Sequence, residues 1–214
     1  MKNVYISPKI KLSVFAAVIV ILTAIMIYNN GSRECVSNIP EPVQEEADGG
    51  TFLDKRGYHV AVNYKYSYKI EALVVHTHNY YGLSLGDALA PKDVALAWGN
   101  VARYNTQIDF HWAQSGRWYR WHTKTYEEIA PVGGEDGVNR CSSNNHLIAA
   151  DSNVKSAIRK MRRGDHVRIT GYLSNIYATK PNGTTFTWSS STTREDTGDG
   201  SCEVIYVTKV EFLD

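Results

Sequence analysis

The chain is poor in cysteine. Three in 214 residues are too few for a cysteine-rich zinc framework or a disulfide-dense miniprotein. An excess of one charge is also missing: Lys plus Arg number 23 and Asp plus Glu 22, so no strong basic field advertises nucleic acid. There is no P-loop, no G-x-G-x-x-G and no H-E-x-x-H, and with them go the chemistries those motifs carry. With 43% hydrophobic and 21% charged residues, the composition excludes collagen-like and wholly disordered chains. The length suits one globular domain with an appendage.

Charge is absent altogether from residues 12–28, LSVFAAVIVILTAIMIY. A helix of that length rises about 25 Å, near the lower limit for spanning a bilayer. Tyr5 and Tyr28 bracket it as interfacial aromatics would. Asn30-Gly31-Ser32 is a poor cleavage site, which favours an uncleaved anchor over a signal peptide. Lys2, Lys9 and Lys11 precede the segment, whereas Arg33 is followed by Glu34, Glu41, Glu45 and Glu46. The positive-inside rule then puts the N-terminus in the cytoplasm. The expectation is a single-pass protein of the cytoplasmic (inner) membrane. Residues 1–11 form its cytoplasmic N-terminus, 12–28 the transmembrane anchor and 29–56 a flexible tether. Residues 57–214 form a periplasmic or extracellular β-rich domain. The tether is rich in Asn, Pro, Glu and Gly and short of large apolar residues, so it buries too little to offset its conformational entropy.

Beyond the tether, residues 69–76 read as a buried strand. Residues 106–113 and 117–123 read as a hairpin turning at Ser115-Gly116. Two helices are predicted. One is opened by Pro91 and Asp93, with Val94, Ala97, Trp98, Val101 and Ala102 as its apolar stripe. The other starts at the cap Asp151 and stops at Gly164. Its Lys155, Arg159, Lys160, Arg162 and Arg163 suit the helix dipole and solubility. GDHVRITGYL then alternates, Pro181-Asn182-Gly183 turns, and EVIYVTKVEFL closes the chain.

That helix, strand, long hairpin and closing strand resemble the second half of an OB-type small barrel. One anchor followed by such a domain also resembles uncharacterised bacterial single-pass exported proteins. The resemblance covers roughly the C-terminal third. It implies an α+β fold: an N-terminal transmembrane helix followed by one β-rich, OB-like barrel domain with two helices. It brings no activity with it, because that barrel hosts many functions.

Several residues are candidates for chemistry. In an oxidising compartment Cys141 and Cys202 form a natural disulfide, worth roughly 4 kcal/mol in the loop-entropy account, with Cys35 left over. His76 and His78, two apart on a strand, share a face and begin a zinc or copper site. Its third ligand would come from His111, His122 or His146. Arg117, Trp118, Tyr119, Arg120 and Trp121 combine rings and cations suited to sugar rings, bases or a partner protein. The run from Cys141 to His146 reads as a polar loop without a protease signature. The acids and glycines between Arg194 and Glu203 miss the EF-hand register.

No cofactor is called for. The functional expectation is a non-catalytic binding or scaffolding domain. It would hold membrane lipid through the anchor and a protein partner in the envelope, and a homo-oligomer is compatible with it. A metal-dependent or other hydrolase acting on envelope polymers is the alternative. Nucleic-acid binding by an OB-like module is third: without Lys2, Lys9 and Lys11 the remainder has 20 basic and 22 acidic residues, which disfavours it.

Overall fold

The computed structural model describes residues 8–193 and 201–213, with the side chains of its first helix from Ser13 to Ala24. Helix α1, Pro8–Asn30, carries exposed apolar residues such as Phe15 and Val20. The expected anchor is corrected: among the described residues no helix is long and apolar enough to cross a membrane. The signal-anchor and single-pass inner-membrane assignments fall with it. Residues 1–7, with Lys2 and Tyr5, lie outside the described residues.

The segment expected as a tether is built into the domain. The Arg33 guanidinium donates to the carbonyl oxygens of Asn105, Thr106 and Ile108 at 2.7, 2.9 and 3.1 Å. It also pairs with Asp109 at 3.0 Å. Ile39 is buried. Strands β1 (Val43–Glu46) and β2 (Gly50–Lys55) then pair with β3 (Tyr58–Asn79). These bonds and the sheet pairing supply the stabilisation that composition alone did not reveal.

After β3 come α2 (Leu85–Leu89), β4 (Lys92–Ala97), α3 (Gly99–Tyr104) and the short pair β5 (Ala113–Ser115) and β6 (Trp118–Arg120). A 3-10 helix (Tyr126–Val132) and α4 (Gly134–Arg140) lead into β7 (Ser142–Ala149) and α5 (Ser152–Lys160). Strands β8 (His166–Thr179), β9 (Thr185–Trp188) and β10 (Glu203–Leu213) complete the chain.

The architecture is mixed α/β around one eight-stranded sheet. It corrects the expected α+β fold in its transmembrane helix and in its two helices. Five α-helices occur among the described residues, and the one predicted from Pro91 is a strand. All six residues of β4 are buried, because β4 lies between β3 and β7. A continuous apolar run satisfies a helical stripe and a doubly covered strand equally, and tertiary pairing decided for the strand. The helix at Asp151 is present as α5, its Asp151 side chain accepting from the Asn153 and Val154 amides. Lys92 Nζ fastens its other end, donating to the Arg159 and Met161 carbonyls at 3.0 and 2.6 Å.

Strand β3 is the longest element and pairs along both edges, with β8 on one and with β2, β1 and β4 on the other. The ladder therefore closes through β3, β4, β7, β10 and β8, with β7 and β10 parallel and the other pairs antiparallel. Tyr68, Ile70, Leu73, Leu96, Ile169 and Leu173 lie in the main apolar core.

Candidate functional site

Strand β7 is unusual in that Ser142, Ser143, Asn144, Asn145 and His146 are all buried. Buried polar groups persist only when bonded, and a hairpin supplies many of the bonds. Strands β5 and β6 are joined by a two-residue turn, Gly116-Arg117, with φ of 60° and 75°. Positive φ at both positions matches the twist of a tight hairpin. Gln114 Nε2 donates to Asn144 Oδ1 at 2.6 Å, and Asn144 Nδ2 donates to the Arg117 carbonyl at 2.9 Å. The Tyr119 hydroxyl lies 3.3 Å from Ser142 Oγ.

The turn directs the Arg117 side chain inward rather than to a binding surface. Its guanidinium bonds Asp87 and Asp93, each at 2.7 Å, and the Ala90 carbonyl at 2.8 Å. It sits 3.6 Å from the centre of the Tyr80 ring. Asp93 also faces His146 Nδ1 at 2.8 Å, and the His146 ring lies 4.6 Å from that of Trp188. Against the upward push of burial, the Ser84 hydroxyl and Arg117 hold the Asp87 carboxyl below its ordinary value. Burial, with Asp93 close by, pushes the Tyr80 hydroxyl up to about 12, so it stays protonated.

The other four residues of the predicted surface line one cleft. Trp118, Tyr119, Arg120 and Trp121 border a cavity of about 550 Å³ together with Tyr126, Glu135, Asn139, Ser142, Ser143 and Glu203. Trp118 is 44% exposed and Tyr126 77%. Trp121 is half-buried, its indole N–H donating to Asn139 Oδ1 at 3.1 Å. Arg120 is held against Ser115 Oγ at 2.6 Å. Glu203 is buried at the start of β10. Thr193 and Ser201 reach the rim; the acid and glycine run 194–200 between them lies outside the described residues.

Sequence reasoning found the aromatic hairpin and missed its opposite wall. Glu135, Asn139 and the serines of β7 are brought together only by the fold, and no local motif marks them. The Asp93–His146 contact is hidden in the sequence because a helix opened by Pro91 keeps Asp93 off the sheet, whereas β4 pairs it directly with His146.

The two remaining site expectations fare differently. Cys141 and Cys202 are not joined by a disulfide, which corrects that pairing. The parallel register Glu203↔Asn145 puts Cys202 beside Asn144, with Sγ 3.5 Å from Asn144 Nδ2. Cys141 is three positions further back, roughly 10 Å along the strand, whereas bridged Cα atoms lie within about 7 Å. His76 and His78 do share a strand, but His76 Nδ1 is bonded to Gln114 Oε1 at 2.9 Å and the His78 ring packs on Tyr80. Among the described residues no group of three His, Cys, Asp or Glu is arranged to hold a metal.

His76 carries a pH signature instead. Burial pushes its pKa below the ordinary 6.5, outweighing the opposing bond to Gln114. The unfolded chain therefore takes the proton first as pH falls. The stability that neutral His76 contributes is complete above about 6.5 and is lost as pH drops through its folded pKa. Between pH 7 and 5 the wild-type Tm is expected to fall more than that of His76→Gln. Parallel pH profiles for the two proteins would contradict this placement.

The fold and cleft define a mixed α/β domain with a ligand-sized, aromatic-walled groove. No protein-family model matches the chain, and no curated protein or solved structure matches it significantly.

Proposed function

We propose that the domain is a non-catalytic binding module whose cleft takes an oligosaccharide segment of a glycan chain. The observation that carries this reading is the pairing of the Trp118, Trp121 and Tyr126 rings with Glu135, Asn139, Ser142, Ser143 and Glu203 around one cavity of about 550 Å³. A sugar ring has an apolar C–H face that packs on an aromatic ring. Its hydroxyls, directed around the edge, need carboxylates, amides and hydroxyls. The cleft supplies both, and its volume lies within the ordinary range for a small-ligand site. The rigid β5–β6 hairpin, stitched to β7, holds the rings in place before binding, which lowers the entropic cost of association.

The test is calorimetric titration with cello- and chito-oligosaccharides. The double substitution Trp118→Ala and Trp121→Ala should weaken binding by about 2 kcal/mol or more, roughly 30-fold, as loss of aromatic anchors does. Its circular dichroism spectrum should match the wild type. Unchanged affinity in the folded double variant would sink the proposal.

A second reading is favoured by Glu135 and Glu203, two carboxylates facing one cleft, one exposed and one buried. Such pairs cleave glycosidic bonds when one acts as acid and the other as base or nucleophile. Release of reducing ends from a bound oligosaccharide, lost in Glu203→Gln with affinity kept, would establish hydrolysis over simple binding.

A further inference from the structure

A second cleft lies apart from the aromatic one, between α5, the β2–β3 turn and the start of β4. Its volume is about 1180 Å³, above the roughly 300–1,000 Å³ of small-molecule pockets. Its lining includes Lys55, Arg56, Lys155, Arg159, Lys160 and Arg162. The only carboxylates among its lining residues are Asp87 and Asp165, and both are engaged. Asp87 pairs with Arg117 at 2.7 Å. Asp165 Oδ2 accepts from the Arg162 backbone N–H at 2.7 Å. Among the described residues no carboxylate lies within ion-pair distance of Lys55, Arg56, Lys155, Arg159 or Lys160. Lys155 and Arg159 are one helical turn apart and exposed, so they present neighbouring cations on one face.

Two exposed rings share this cleft. Tyr81 is 89% exposed and Phe212 47%. The Arg56 guanidinium donates to the Gly82 carbonyl at 3.1 Å, tying the basic turn to the loop that carries Tyr81. The near-zero charge of the whole chain conceals this patch, because acids such as Glu41, Glu45, Glu46 and Asp48 lie in other segments.

From this cleft we infer a second binding site, for a short single-stranded oligonucleotide: the basic residues track the phosphodiester backbone while Tyr81 and Phe212 stack on bases. Unpaired cations alone would suit any polyanion. Exposed rings in the same groove add the one contact that a base makes and that inorganic polyphosphate or a phospholipid headgroup lacks. A groove larger than a small-molecule pocket suits several linked nucleotides.

The test is fluorescence anisotropy of a labelled oligo-dT of about 12 nucleotides with the full chain, across a salt series. Saturable binding is expected, weakening with salt with a log–log slope of about −3, since each phosphate contact on a single strand contributes about −0.7. Lys155→Ala with Arg159→Ala should weaken binding at least tenfold and flatten the slope by about 1.4. Tyr81→Ala should weaken it about tenfold and leave the slope unchanged. All three positions are exposed, and a matching thermal melt confirms that each variant is folded. Absence of saturable binding at low salt would overturn the inference. So would equal competition by inorganic polyphosphate with no effect of Tyr81→Ala, or capture by anionic phospholipid vesicles without oligonucleotide binding. None of these readouts passes through the Trp118–Trp121 cleft, so this site and the oligosaccharide reading stand or fall separately.

Discussion

Replacing Arg117 by methionine is expected to lower the unfolding free energy by about 3–5 kcal/mol. The reason is the company its guanidinium keeps. Asp93 has a side chain 1% exposed and His146 2%, so neither can recruit water when the arginine is gone. Removing one partner of a buried ion pair leaves a charge with its desolvation cost and without its compensation. The Tyr80 cation–π contact at 3.6 Å and the Ala90 carbonyl bond are lost at the same time. Arg117→Lys should recover only part of the loss, since one ammonium does not reproduce a fork bonded to two carboxylates. Asp93→Asn combined with Arg117→Met should be less damaging than the sum of its parts, because the orphaned charge disappears. Urea unfolding of these variants and of Asp93→Asn alone measures this. A cost below about 1 kcal/mol for Arg117→Met would show that the network is not what holds the hairpin to the sheet.

Gly171→Val is expected to be similarly severe, about 3 kcal/mol or more. Gly171 sits in β8 with β3 on one side and β10 on the other, opposite Tyr68 and Val207. A Cβ there would collide with the carbonyl of Tyr206, and the other near atoms are also backbone. Backbone in a doubly paired strand has little room to give. The pairing with β10 slips just beyond this point, between Val207 and Lys209, so the close approach coincides with a bulge. A shift of the unfolding midpoint equivalent to less than about 0.5 kcal/mol would contradict this packing.

The last third of the chain was the most legible in the sequence. Asp151 as cap, the strict alternation from His166 and the closing strand from Glu203 are each local signals that the tertiary structure did not override. The Ser115-Gly116 turn was legible too, although β5 and β6 are shorter than the alternation suggested. Three things were hidden for physical reasons. Residues 94–97 are apolar on every face, so periodicity alone does not separate a buried strand from a helix. Residues 43–46 and 50–55 are polar edge strands whose pairing with β3 has no compositional mark. The apolar run 12–28 suggested a spanning helix, whereas no described helix meets that requirement.

The site divides the same way. The run 118–121 announced itself by its density of rings, and it lines the cleft. Arg117, one position earlier, was grouped with it and instead points to Asp87 and Asp93. The difference is a left-handed φ of 75° at the turn, a conformation that composition does not display. Glu135, Asn139, Ser142 and Glu203 reach the cleft from separate elements, and their convergence is a property of the fold.

The most direct test of the binding reading is a titration of the nitrogen-15-labelled protein with chito-oligosaccharide, following the indole N–H signals by NMR. Trp118 and Trp121 should shift saturably with one dissociation constant, while Trp98, which is 1% exposed in the core, should stay still. Indole signals that do not move at any ligand concentration, or that move at Trp98 as much as at Trp118 and Trp121, would contradict it.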